Sequence, residues 1–223
     1  MYRQLQLSNT MNNTNPKPAP GLALETIFLI IFSTALLSSS VVTDLVSVQQ
    51  IRGHYPFLIL LLVYIGIRAI VRKSYTRWGV FGHWKRSLGI NAVVATVFII
   101  FGVVLVNTNS VSQYVGLADR GFGSIYFVIF YIFIGVPLQQ LLIWGDLLER
   151  LNAIGIPRIL HYVLLPAIYS LSHGFYDKPE IILVGTLLLG VCWTYSTKVT
   201  ESLIGNYVVH VSIGLAMFAL QIA

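Results

Sequence analysis

Four side chains carry the chemistry this chain has to offer: Gln139, Gln140, His173 and His210 all fall inside long apolar runs. A polar group at such a place is expensive and must be hydrogen-bonded. The two histidines take and give protons near neutrality, and each can hold a water molecule. They can also supply two ligands to zinc. Such a site wants a third ligand, and with no carboxylate or thiolate expected within reach of the two histidines the site would be weak, so no metal or other cofactor is expected. The glutamines accept and donate hydrogen bonds, but a neutral amide takes no proton and cannot act as a base. The same four residues also fit a purely structural reading, as uncharged polar groups that glue membrane helices together.

The elements that must position them are membrane helices. Charged residues make up 10% of the chain against 56% hydrophobic, and a bilayer core takes about 20 helical residues to cross. The apolar runs predict an all-α polytopic bundle with seven spans at 22–42, 55–71, 88–106, 125–148, 158–176, 181–197 and 202–222. The spans at 55–71 and 181–197 are short, which fits tilted or partly buried helices. Helix is the default because lipid offers no partner to an unpaired backbone group.

Charge placement suggests an orientation. With the N-terminus cytoplasmic, the inner segments hold Arg3, Lys17, Arg68, Arg72, Lys73, Arg77, Lys85, Arg86, Arg150, Arg158 and Lys198, and only Arg52, Arg120 and Lys178 lie outside. This positive-inside bias places the C-terminus on the opposite side. Most of the net charge of +6 sits in the loop 68–86, where it would face an anionic leaflet and calls for no nucleic-acid partner. Trp78 and Trp84 in that loop suit the interface. Glu25, Arg68 and Lys198 lie near span ends, where snorkelling accounts for their charge.

Residues 1–20 are rich in Asn, Thr and Pro and read as a disordered cytoplasmic tail without the apolar core of a signal peptide, Met11 being an alternative start. One helical membrane domain, 21–223, follows. Its single cysteine, Cys192, allows no intrachain disulfide, and no Walker-type loop or internal repeat points to an ATP-driven pump. A small-molecule transporter fits a polar cavity but lacks a clear intramembrane charge. The glycine-rich turn Asp119-Arg120-Gly121-Phe122-Gly123 reads as an outer connector.

Three short patterns stand in order within 125–222. The first is Gln139-Gln140-Leu141-Leu142-Ile143-Trp144-Gly145, followed by a leucine-rich turn. The second is Tyr169-Ser170-Leu171-Ser172-His173, and the third is His210-Val211-Ser212-Ile213-Gly214, preceded by the lead-in 201–209. Together they resemble the signatures of the CPBP family, the CAAX-type intramembrane proteases. That family's patterns run Glu-Glu-x-x-x-Arg, Phe-x-x-x-His and His-x-x-x-Asn. The resemblance implies a CAAX-protease-like helical bundle in which a glutamate deprotonates water while histidines and an asparagine orient it and stabilise the oxyanion.

Residue by residue, His173 and His210 keep the family histidines. Gln139 and Gln140 stand where the glutamates would be, Trp144 replaces the arginine and Gly214 replaces the asparagine. General-base help is worth roughly 10²–10⁴-fold and one oxyanion donor about 10²–10³-fold, so losing both leaves little proteolysis of the family type. The resemblance therefore implies a non-catalytic relative that binds other membrane proteins or lipid-modified peptides. An active endopeptidase with an altered water-activating group is the alternative. A depth count agrees with a shared site: Gln140, His173 and His210 lie roughly 18, 22 and 14 Å from the cytosolic ends of their helices at 1.5 Å per residue. Gln139 and Gln140 point about 100° apart, so one of them is expected to face the cavity.

Overall fold

The computed structural model describes residues 21–31, 48–71, 82–108, 123–173 and 179–219. The tail 1–20, the second half of the first span, the basic stretch 72–81 and the turn at 119–122 lie outside the described residues.

Every element described is helical. We label them α1 (Leu22–Ile31), α2 (Val48–Val71), α3 (Trp84–Asn107), α4, α5 (Arg158–Leu171), α6 (Pro179–Thr200) and α7 (Ile204–Ala219). The long helix α4 runs without a break through Gly123–Phe130, Tyr131–Gly135, Val136–Gln139, Gln140–Leu147 and Leu148–Ala153. Among the described residues, three helices are long and apolar enough to cross a membrane: Trp84–Asn107, Val128–Ala153 and Glu180–Thr200. Leu22–Ile31, Leu58–Arg68, Arg158–Leu171 and Ile204–Met217 are shorter apolar helices.

Several helices exceed the hydropathy bounds. Helix α2 begins at Val48, two turns ahead of the apolar run, because Gln49, Gln50, Arg52 and His54 end the apolarity but not the helix. Hydropathy reports where lipid is tolerated; helices extend past that limit.

Helix α4 is wound unevenly. Tyr131–Gly135 and Gln140–Leu147 are π-helical and flank the α-helical turn Val136–Gln139. Pro137 lies in that turn; its missing N–H and its ring disturb the regular ladder, and wide turns are a common accommodation. From there inward α4 is almost wholly buried, from Leu142 to Leu147, against α2, α5, α6 and α7. Leu138, Leu142, Ile143, Trp144 and Leu147 join Ile65, Leu165, Tyr169 and Trp193 in the core.

Close approach elsewhere depends on glycine. A Cβ on Gly205 of α7 would run into the Ser87 backbone of α3, and one on Gly190 of α6 would meet Pro166 of α5 at 2.8 Å. Small residues at such crossings let backbones approach where lipid supplies no hydrophobic drive. The α3–α7 contact then seals a buried polar network. Asn91 donates to Ser196 Oγ at 2.7 Å and to Asn206 Oδ1 at 3.0 Å, and Asn206 donates to Thr197 Oγ1 at 2.8 Å. Gly205→Ala is expected to destabilise the fold by about 1–3 kcal/mol through overpacking. Gly89→Ala on α3, where a Cβ meets open space, should be neutral or slightly stabilising, in line with a helix-propensity gain of about 1 kcal/mol. Thermal unfolding in detergent checks the pair.

Candidate functional site

The structure brings three of the four polar candidates together. Gln140 comes from the start of the wide-turned stretch of α4, His210 from the middle of α7, and His173 from the turn that ends α5. Gln140 Nε2 lies 3.0 Å from His210 Nδ1, and His210 Nε2 lies 3.2 Å from the Tyr169 hydroxyl. Tyr169 is also the hub of the ring packing, with His173 and His210 stacked edge-on at 4.6 and 5.6 Å.

Donor and acceptor rules fix the direction of this chain. An amide nitrogen only donates, so Gln140 gives a hydrogen to Nδ1 of His210. The ring proton of His210 then sits on Nε2 and is donated to the Tyr169 oxygen. His173 is held the other way round: its Nδ1 donates to the Tyr169 carbonyl at 2.8 Å and to Ser172 Oγ at 3.1 Å. One residue, Tyr169, thus orients both histidines.

Gln139 does not join them. The Oε1 atoms of Gln139 and Gln140 are both buried and find no partner among the described residues; the 3.0 Å contact of Gln140 Nε2 with His210 is what puts Gln140 on the histidine side. Trp144 is 1% exposed; its indole donates to Thr194 Oγ1 at 3.0 Å and packs edge-on against Tyr169 and Trp193. A packed, hydrogen-bonded tryptophan stands where the resembled motif has a cation. At Gly214 the hydroxyl of Tyr131 occupies the volume a side chain would need. That hydroxyl donates to the His210 carbonyl at 3.2 Å, so a tyrosine from α4 fills the place an amide side chain would take.

A cavity of about 160 Å³ opens on this group. His173, His210, Tyr131 and Tyr169 form its polar end. Phe98, Phe101 and Leu105 of α3, Ile181, Ile182 and Leu189 of α6, and Ile213 and Met217 of α7 make up most of the rest. Gln140 lies behind His210 and does not line it. Among the described residues, no three His, Cys, Asp or Glu side chains come together to hold a metal ion.

Sequence reasoning missed a second buried cluster. Asp146, with no exposure at all, pairs with Arg150 Nε and Arg68 Nε, each at 2.6 Å. Glu25 of α1 bridges the same two guanidinium groups at 2.9 Å each and accepts from the Tyr64 hydroxyl at 3.2 Å. Arg68, expected to snorkel at a span end, is instead 8% exposed and turns onto Asp146, while Glu25 stays 42% exposed as it pairs with both guanidinium groups. The signal lay in the sequence as Asp146-x-x-x-Arg150, a spacing that makes helical pairs. Of the remaining basic residues near α3, Lys85 and Arg86 are exposed.

No protein-family model matches this chain, and neither a curated protein nor a solved structure does.

Proposed function

We propose that this chain is a seven-helix membrane protein of the CAAX-protease-like (CPBP) type whose catalytic site has become a binding site. In this reading the N-terminus is cytoplasmic and the C-terminus lies on the opposite side. The chain works as a binding or assembly partner for other membrane proteins, through the cavity or its lipid-facing helices, with its basic loop against anionic lipid.

One observation carries the non-catalytic reading: Gln140 Nε2 lies 3.0 Å from His210 Nδ1, a contact in which an amide nitrogen can only donate. A histidine that already accepts at Nδ1 carries its proton on Nε2, the nitrogen aimed at Tyr169. It therefore presents a donor where a general base must present a lone pair. No carboxylate is among the cavity-lining residues described. The changes at Trp144 and Gly214 support the same reading, since both positions are filled by packed aromatic groups.

A second reading, an active endopeptidase with an altered water-activating group, is favoured by one detail. His173 lines the same cavity and is protonated on Nδ1 by its bond to the Tyr169 carbonyl. Its Nε2 is then the nitrogen with a lone pair.

The test is isolation in mild detergent, with native mass measurement and a membrane-peptide hydrolysis assay on the same sample. A defined stoichiometric complex without hydrolysis is the expected result. Hydrolysis that is lost in His173→Ala would replace the first reading with the second. A transport role would show instead as solute flux in liposomes.

A further inference from the structure

We propose that the cavity beneath α3, α6 and α7 is a binding site for an uncharged bilayer lipid, a long-chain alcohol, held with its hydroxyl at the His173–Tyr169 end. This rests on the cavity being a site of binding rather than cleavage, and it names the chemical class of the ligand.

Size comes first. The cavity measures about 160 Å³, close to the engineered apolar cavity of about 150 Å³ that takes up benzene. It therefore takes in about six carbons, the head end of an amphiphile, and leaves the rest of the tail outside.

The rim shows where that tail goes. Phe101 lines the cavity and is 49% exposed. Val97 and Val104, one turn either side of it on α3, are exposed apolar residues, as are Val184 and Leu188 on α6. A chain leaving the cavity past Phe101 thus emerges among side chains that suit acyl tails, so the route in runs sideways from the bilayer.

The head group follows from charge. Among the described residues no Lys, Arg, Asp or Glu lines the cavity. A carboxylate or phosphate buried without a counter-charge suffers a large desolvation penalty, whereas a hydroxyl needs only one hydrogen-bonding neighbour. Imidazole, phenol and the Thr186 hydroxyl supply such neighbours. The guanidinium groups that would favour an anion, Arg68 and Arg150, are paired with Asp146 and Glu25 in the other cluster.

The experiment uses the full-length protein in phosphatidylcholine nanodiscs and hexadecanol carrying a photoactivatable diazirine in its tail. After irradiation, adducts should map to cavity residues of α3, α6 and α7, Phe101, Leu189 and Ile213 among them. Unlabelled hexadecanol should compete about tenfold better than palmitate or hexadecyl phosphate, a difference of about 1.4 kcal/mol. Gly185→Phe fills the cavity from a position where a Cβ meets open space, and should abolish the labelling. Competition by the charged lipids as strong as by the alcohol would overturn the proposal. So would labelling of outer helix faces that Gly185→Phe leaves unchanged. If that variant does not fold, the competition series on the wild type decides alone. Cleavage of a membrane peptide in the same nanodiscs reports separately on the non-catalytic reading. Cleavage together with alcohol-selective labelling removes that reading and leaves the lipid selectivity standing. Absence of cleavage together with absence of selectivity removes the lipid site only.

Discussion

Asp146→Ala is expected to lower stability by about 3–5 kcal/mol, the usual result of breaking a buried ion pair from one side. The carboxylate is fully buried and is paired at 2.6 Å with two guanidinium groups. Removing it strands Arg68 and Arg150, which are 8% and 1% exposed and cannot reach water without repacking α2 and α4. Glu25 alone would remain to balance them, and it is 42% exposed. Glu25→Gln should therefore cost much less, about 1 kcal/mol or below, as half-exposed pairs do. Chemical or thermal unfolding in detergent gives both values. A near-equal loss in the two variants would mean that Asp146 is not the centre of the cluster. Replacing Asp146, Arg68 and Arg150 together with apolar residues of similar volume should recover most of the loss, because the isolated charge rather than the missing pair is what destabilises.

The consequence reaches the site. Asp146 belongs to the same wide-turned stretch, Gln140–Leu147, that starts with Gln140. Holding Asp146 against α2 fixes the rotation of α4 about its axis, and with it the direction in which Gln140 points. The ionic cluster and the histidine chain are two ends of one positioned helix segment.

Much of this was legible in the sequence, for reasons that differ by residue. The apolar runs anticipate that the described elements are all helical, three of them long and apolar enough to cross a membrane, and their ends differ where polar residues such as Gln49 and Gln50 continue a helix beyond the apolar limit. The depth count, which converts helical rise into depth, expects Gln140, His173 and His210 at one level; among the described residues Gln140 meets His210 at 3.0 Å, and His173 and His210 both pack on Tyr169. Which glutamine faces the histidines was not legible, since the π-helical turns after Pro137 change the angular spacing on which such a choice depends. Tyr131 gave no warning either. Its role follows from the missing side chain at Gly214 on another helix, and a single sequence does not show which absence a distant residue fills. Asp146 and Arg150 stand at a helical pairing distance in the sequence, but only the packing shows that Arg68 and Glu25 come to meet them.

Replacing Gln140 with glutamate is expected to reverse the proton arrangement of the whole chain from α4 to Tyr169. A carboxylate accepts and does not donate. His210 must then carry its proton on Nδ1 to meet it, and Nε2 becomes a lone-pair nitrogen facing the Tyr169 hydroxyl. In the wild type the ¹⁵N signals of His210 should show Nε2 protonated, and in Gln140→Glu they should show Nδ1 protonated. An unchanged tautomer would sink the directional reading of the 3.0 Å contact between Gln140 and His210. The same substitution gives the site a carboxylate-supported base, and such a base contributes roughly 10²–10⁴-fold to hydrolysis. We expect the lower end, about 10²-fold over the wild type on a membrane-embedded fluorogenic peptide. The oxyanion side chain is still missing at Gly214, and only the Tyr131 hydroxyl stands in that volume. Tyr131→Phe in the Gln140→Glu background then separates two possibilities. A further loss of activity would make that hydroxyl the stand-in donor. No change would assign it to packing against Gly214 and to the His210 carbonyl alone. A tautomer that switches without any gain in hydrolysis would locate the decisive loss at Trp144 and Gly214, on a fold that still orients its histidines.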